Sequence, residues 1–183
     1  KKRSVNGLVV VFFVSTIPRA VFCFQSVSKY LGVQERLRYQ RYHRNLRVKR
    51  VQMSYKVGIV GATGAVGAEL LGVLEKREFP IEGAPALFGS KGGKKVETKG
   101  WGSLDVHEFA VEALKGYDVC FLAASGDFAK EYAAKIADVL SEKGVVVDNS
   151  SALRLDPKVP LVVPEVNGDK CKDAKLIANP NCT

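Results

Sequence analysis

Residues 55–76 constrain the fold of this chain more tightly than any other stretch. Residues 55–60 (YKVGIV) form a Val/Ile-rich run suited to a strand buried on both faces, and Gly61-Ala62-Thr63-Gly64-Ala65-Val66-Gly67 follows at once. Residues 68–76 (AELLGVLEK) then bring Leu70, Leu71 and Leu74 round at helical spacing. Strand, glycine turn and helix in direct succession make the first unit of a doubly wound α/β fold. In that unit the turn lets backbone N–H groups approach a pyrophosphate at the helix N-terminus. The spacing G-x-x-G-x-x-G departs from the commoner G-x-G-x-x-G, and no Lys-Ser/Thr pair follows, which excludes a P-loop. A plain tight turn is the competing reading; the flanking strand and helix count against it.

The chain after this unit keeps alternating. Strands are expected at 84–88, 119–123 (VCFLA), 145–147 and 176–178, with a short one near 161–163. A helix is expected over 127–143, carrying Phe128, Tyr132, Ile136 and Leu140 on one face and ended by Gly144. Strands alternating with helices at this spacing predict a Rossmann-like, mostly parallel sheet spanning residues 54–183.

Three loops carry candidate chemistry. The loop after the second strand, 89–95, reads Gly-Ser90-Lys91-Gly-Gly-Lys94-Lys95. An NAD-specific site places an acid there for the ribose 2′-OH. This loop has lysines and no acid, so it favours the 2′-phosphate of NADP; a solvated lysine loop is the alternative. Residues 148–154 (DNSSALR) follow the three-valine strand, where ligands bind in such sheets, and Arg154 can grip a phosphate or carboxylate bidentately. Its alternative is a surface ion pair with Asp156. Residues 178–183 (ANPNCT) place Cys182 just past a strand, after a proline turn. A helix N-terminus there would lower the thiol pKa from about 8.5 and supply thiolate for attack on a carbonyl. A lone cysteine is otherwise a small buried hydrophobe. That second reading is preferred for Cys23, Cys120 and Cys171.

The net charge of +9 invites a nucleic-acid reading until it is located. Residues 1–50 hold 12 Lys+Arg and one acid, Glu35, whereas residues 51–183 hold 16 Lys+Arg against 18 acids. The basicity therefore belongs to a leader, read over residues 1–53, and no nucleic-acid partner is expected. The leader opens with Lys1, Lys2 and Arg3, continues with an apolar run over 8–17, and becomes Arg-rich and acid-poor from 25 to 50. The apolar run falls short of the roughly 20 residues that span a bilayer, so no stable membrane span is expected. A signal-like segment before a transit-like one resembles the bipartite leaders of plastids with extra membranes. Mitochondrial import, a secretory signal, a mistranslated upstream region and a native basic surface helix are the alternatives. The scattered cysteines fit a reducing compartment and, with only His43 and His107, form no metal site. The start at Lys1 rather than Met is that of a processed or partial product.

Taken together, residues 57–67 (VGIVGATGAVG), 145–167 (VVVDNSSALRLDPKVPLVVPEVN) and 178–183 (ANPNCT) resemble aspartate-semialdehyde dehydrogenase. The resemblance extends over about residues 55–183. N-acetyl-glutamyl-phosphate reductases share the glycine turn and a Pro-x-Cys site but differ around DNSSALR. Glyceraldehyde-phosphate dehydrogenase uses a Cys-Thr pair without the Asn-Pro-Asn lead. The resemblance implies reductive dephosphorylation of β-aspartyl phosphate to aspartate semialdehyde with NADPH, a shared step towards lysine, threonine, methionine and isoleucine. By position, Cys182 is the nucleophile that forms the acyl-enzyme, and Arg154 and Asn181 contact the phosphate. Gly61, Thr63, Gly64, Ala65 and Val66 line the cofactor phosphates, Ser90 and Lys91 meet the 2′-phosphate, and Ser125 and Gly126 belong to a turn that holds the cofactor. The family commonly has Arg-Ser where this chain has Lys91-Gly92.

The same resemblance implies a general-base histidine, a substrate-binding arginine and a second, dimer-forming domain in a later segment. His107 precedes the nucleophile in an unrelated stretch and is not assigned that role. A polypeptide ending at Thr183 is thus expected to be an inactive N-terminal part of a homo-oligomeric enzyme. Two other readings remain open from sequence: a non-catalytic NADP-binding module, and a basic-tailed RNA- or membrane-binding protein.

Overall fold

The computed structural model describes residues 54–181. The leader read over residues 1–53, with Cys182 and Thr183, lies outside the described residues.

The glycine-turn unit forms β1 (Val57–Val60) and α1 (Ala65–Lys76). The helix starts at Ala65, three residues earlier than its leucine spacing predicts, so Gly67 is inside it. Then come β2 (Ala86–Gly89), β3 (Lys94–Glu97), β4 (Ser103–Glu108), β5 (Val119–Leu122), α2 (Gly126–Val139), β6 (Val145–Asp148), the single turn α3 (Pro164–Asn167) and β7 (Leu176–Ala178). The sheet order is β3-β4-β2-β1-β5-β6-β7; β3 and β4 pair antiparallel and every other neighbouring pair is parallel.

Both faces of the central strands are buried, and side-chain alternation sorts them into two cores. On the α1 face, Val57, Ile59, Phe121, Val145, Val147 and Ile177 meet Leu70, Leu71 and Leu74. On the α2 face, Val60, Cys120, Leu122 and Val146 meet Ala133, Ile136 and Ala137. Leu74 and Ile136 are each fully buried, worth about 1.5–3 kcal/mol apiece. Phe109, Phe128 and Tyr132 close the edge of the second core, with ring centroids 4.6–5.2 Å apart.

Four local expectations change. The loop after β2 is shorter than residues 89–95, because Lys94 and Lys95 pair with Val106 and Asp105. Neither strand of that hairpin shows clean alternation: five of the ten residues are charged and only Val106 is buried, as befits an exposed edge. Strand β2 begins after Pro85, which has no N–H to give the ladder. Residues 161–163 form no strand; Leu161 makes a single bridge to Ala178. Helix α2 ends at Val139, with Leu140 extended, and Gly144 closes a separate turn by donating to Ser141 O at 2.8 Å.

Candidate functional site

From β1 the chain moves outward through β2 to β4, then returns to lay β5 on the other side of β1. The β1/β5 boundary is therefore the topological switch point, and the crevice past the strands' C-terminal ends is where ligands bind in open parallel sheets. The loops carrying nearly all of the site residues read from sequence open into this end of the sheet.

The glycine turn forms its near wall. Gly61 has φ +83°, and a Cβ there would collide with the carbonyl of Ala123. Its N–H donates to Phe88 O at 2.9 Å, tying the turn to β2. At Gly67 a Cβ would strike Gly61 O and Ala62 Cα, so this glycine lets helix and turn pack. Gly64 is different. Its φ is −78°, and a Cβ would find only Gly61 O, at 3.4 Å. The fold does not demand glycine there; the approach of a ligand to the backbone would. Gly64 is also the N-cap of α1, no side chain caps this helix start, and its first turn holds no acid. Thr63, Gly64, Ala65 and Val66 are all exposed, which leaves the positive end of the helix dipole open to an anion.

The loop after β5 forms the second wall. Ser125 is the N-cap of α2 and its Oγ accepts from the Phe128 N–H at 3.3 Å; Gly126 opens the helix, facing Ala152. Ser90 and Lys91 are exposed directly beyond β2, beside the glycine turn that Phe88 anchors.

The loops after β6 and β7 interlock on the far side. Asp148, fully buried, accepts from Ser150 N at 3.0 Å and Ser150 Oγ at 2.7 Å, while its own carbonyl accepts from Asn179 N at 2.8 Å. Arg154 spans both loops: Nε donates to Asn179 O at 2.8 Å and Nη2 to Asn149 O at 3.1 Å. It therefore makes these bonds in place of the ion pair with Asp156. Asn179 Nδ2 donates to Asn149 Oδ1 at 2.7 Å. Asn179 is 2% exposed, and its Oδ1 is buried without a hydrogen-bond partner. An orphaned acceptor of this kind costs about 1–3 kcal/mol. Sequence reasoning passed over Asn149 and Asn179 as individual residues. The available signal was an asparagine immediately after each of two adjacent parallel strands.

These walls line a narrow cleft between Val66 and Leu70 of α1 and Ala123, Val147, Asn149 and Asn179. Pro180 and the exposed Asn181 lead on from Asn179 towards Cys182, which lies outside the described residues. The two described thiols are unsuited to chemistry. Burial pushes the Cys120 thiol far up, and burial followed by the charge of Asp169 raises Cys171. His107 is exposed on β4, at the side of the sheet away from this cleft, its ring 6.3 Å from that of Phe88.

A doubly wound sheet with an uncapped glycine turn at its switch point defines a dinucleotide-binding domain. Residues 56–174 match the family described as semialdehyde dehydrogenase, NAD binding domain, and the chain belongs to that family. It is 46% identical over 142 residues to the aspartate-semialdehyde dehydrogenase of Aquifex aeolicus, and 44% identical over 134 residues to that of Campylobacter jejuni. These alignments take in 72% and 70% of the chain but 39% and 38% of the relatives, so the chain spans about two fifths of their length. The matched stretch is the N-terminal part of these dehydrogenases. Among solved structures, aspartate semialdehyde dehydrogenase II of Vibrio cholerae superposes with TM-score 0.59 at 34% identity, covering 71% of this chain and 42% of that one. The Candida albicans enzyme, solved with NADP, gives 0.50 at 25% identity, covering 68% and 42%.

Proposed function

We propose that this domain is the NADP-binding part of an aspartate-semialdehyde dehydrogenase that converts β-aspartyl phosphate to aspartate semialdehyde. The observation that carries the reading is Arg154, which ties the loop after β6 to the strand exit leading to Cys182 through the carbonyls of Asn149 and Asn179, two residues of the cleft that Val66 of α1 also lines. On this reading the cofactor cradle and the segment that leads to Cys182 serve one site. The residues fit the cofactor: Gly64 leaves room that a Cβ would fill, and the exposed Ser90 and Lys91, with no acid beside them, suit a 2′-phosphate.

When bound, NADPH supplies the hydride that reduces the acyl carbon. The chain's own groups prepare that carbon. The backbone N–H groups of Thr63, Ala65 and Val66 and the α1 dipole would hold the pyrophosphate, the Gly64 N–H being spent on Gly61 O at 3.1 Å. The Cys182 thiolate attacks the acyl carbon; a C–S bond forms, the C–O bond to phosphate breaks, and phosphate leaves with the electron pair. Arg154 spends two of its five N–H donors on backbone carbonyls and directs the rest, with Asn181, at the phosphate. Because the two backbone bonds fix the guanidinium, little rotamer freedom is lost when phosphate arrives.

The test uses the longest polypeptide that the gene encodes, assayed for phosphate-dependent NADP reduction with aspartate semialdehyde. Cys182→Ala should abolish turnover while leaving NADP binding intact; retained turnover overturns the mechanism. The reading extends to a homo-oligomer acting in lysine, threonine, methionine and isoleucine synthesis, and to residues 1–53 as a plastid-targeting leader with mitochondrial import as the alternative. A fluorescent reporter fused to residues 1–53 should enter an organelle; a diffuse cytosolic signal overturns the targeting.

A further inference from the structure

Asp148 is a fully buried carboxylate that the chemistry described above does not use. Among the described residues no cation pairs with it; the two ion pairs there are Lys95–Asp105 and Lys135–Glu131. A buried charge is costly unless its oxygens are well bonded and an opposite charge is near. Its oxygens accept from Ser150 N at 3.0 Å and Ser150 Oγ at 2.7 Å. The first donor belongs to the peptide that joins Asn149 to Ser150, and the carbonyl of that same peptide accepts from Arg154 Nη2 at 3.1 Å. One planar unit therefore has the Asp148 carboxylate at its N–H end and the Arg154 guanidinium at its C=O end. The other carbonyl that holds Arg154, that of Asn179, is tied to Asp148 as well, since Asn179 N donates to Asp148 O at 2.8 Å.

We infer that Asp148 is a positioning residue: its carboxylate orients and polarises the Asn149–Ser150 peptide, and that peptide aims Arg154 at the phosphate. This rests on the phosphate role given to Arg154 above. An anion at the N–H end of a peptide adds negative charge to its carbonyl oxygen, so the carbonyl grips a guanidinium harder; bonds in series polarise one another in this way inside a protein. The arrangement also explains why the two charges do not meet. A carboxylate placed directly on the guanidinium would occupy the fork that suits a phosphate and would repel the anion. With a peptide between them, Asp148 fixes Arg154 and leaves its remaining N–H donors available. Ser150 locks the carboxylate in turn: its Oγ donates to Asp148 and accepts from Ala152 N at 3.2 Å, closing the first bend of the loop. Asp148, being fully buried, acts only through Arg154.

The experiment measures the dissociation constant of inorganic phosphate by calorimetry on the longest polypeptide the gene encodes. Asp148→Asn keeps the shape and removes the charge. It should weaken phosphate binding about fivefold, within the range of coupling inside one hydrogen-bond network, and leave NADP+ affinity unchanged. A bare charge effect has the opposite sign, because deleting a nearby anion tightens the binding of another. Tighter or unchanged phosphate binding therefore overturns the inference. An equal loss of NADP+ affinity overturns it too, since that is what a general loosening of the strand ends would produce. In an Arg154→Lys background, which keeps a cation so that binding stays measurable, Asp148→Asn should add nothing; a further fivefold loss excludes the route through Arg154. Ser150→Ala takes away one of the carboxylate's two donors and should act in the same direction, by about threefold. No change there overturns the inference even where Asp148→Asn is too unstable to assay. Wild-type protein that binds no phosphate sinks the functional reading and this inference with it, an outcome distinct from phosphate binding that is indifferent to Asp148.

Discussion

Two helices begin at the C-terminal ends of parallel strands on either side of the switch point, and they begin in opposite ways. Helix α2 is self-sufficient: Ser125 caps it, and Asp127 sits in its first turn against the dipole. Helix α1 has neither device. Its N-cap is Gly64, its first turn is Ala65-Val66-Gly67, and the surrounding residues are exposed. The contrast separates a helix start stabilised by its own side chains from one that has no such stabilisation. Within α1's turn the same division recurs among glycines, with Gly61 and Gly67 required by packing and Gly64 not.

The largest effect should come from Gly61→Ala. A left-handed φ and a collision with Ala123 O predict a loss of about 2–4 kcal/mol, read as a lower urea midpoint. Gly64→Ala should separate from it sharply. Its stability cost should stay within about 1 kcal/mol, since alanine is merely a poor N-cap, while NADP affinity drops about tenfold or more. If Gly64→Ala unfolds the domain instead, the division between packing and ligand glycines is wrong. Next comes Ser125→Ala, which removes the α2 cap and should lower stability by about 1 kcal/mol in the same urea titration. Its effect on NADP affinity should be smaller than that of Gly64→Ala; a larger one would show that the hydroxyl serves the cofactor before the helix. The smallest change in stability belongs to Ala65→Asp, which gives α1 the acid that α2 already has. Thermal melting should show a gain of about 0.3–1 kcal/mol without cofactor, together with roughly fivefold weaker NADP binding from charge repulsion.

The parts of the fold legible in sequence were those where local and global demands coincide. VGIV, VCFL and VVVD are each buried on both faces, and a run of β-branched and apolar residues announces that directly. The hairpin of β3 and β4 was invisible because an exposed edge puts little constraint on side chains: KKVE and SLDVHE read as solvated loop. The strand assigned to residues 161–163 failed for the converse reason. Val162 is fully buried, yet only one bridge joins this segment to β7, so apolar content stood in for pairing that never forms.

The sequence by itself determined the doubly wound plan, the glycine turn between β1 and α1, the acid-free loop after β2, and the family to which these motifs belong. Those properties are written in contiguous residues whose spacing is the signal. Only the tertiary structure decided which glycine the fold can spare, and that Arg154 clamps two loops instead of pairing with Asp156. It also brought Asn149 and Asn179, 30 residues apart, to 2.7 Å, with a buried amide oxygen left over. The physical reason is the parallel sheet. Laying β6 beside β7 carries distant loop residues to the same end of the structure, and whether a hydrogen-bond partner is missing there depends on every neighbour that the fold assembles.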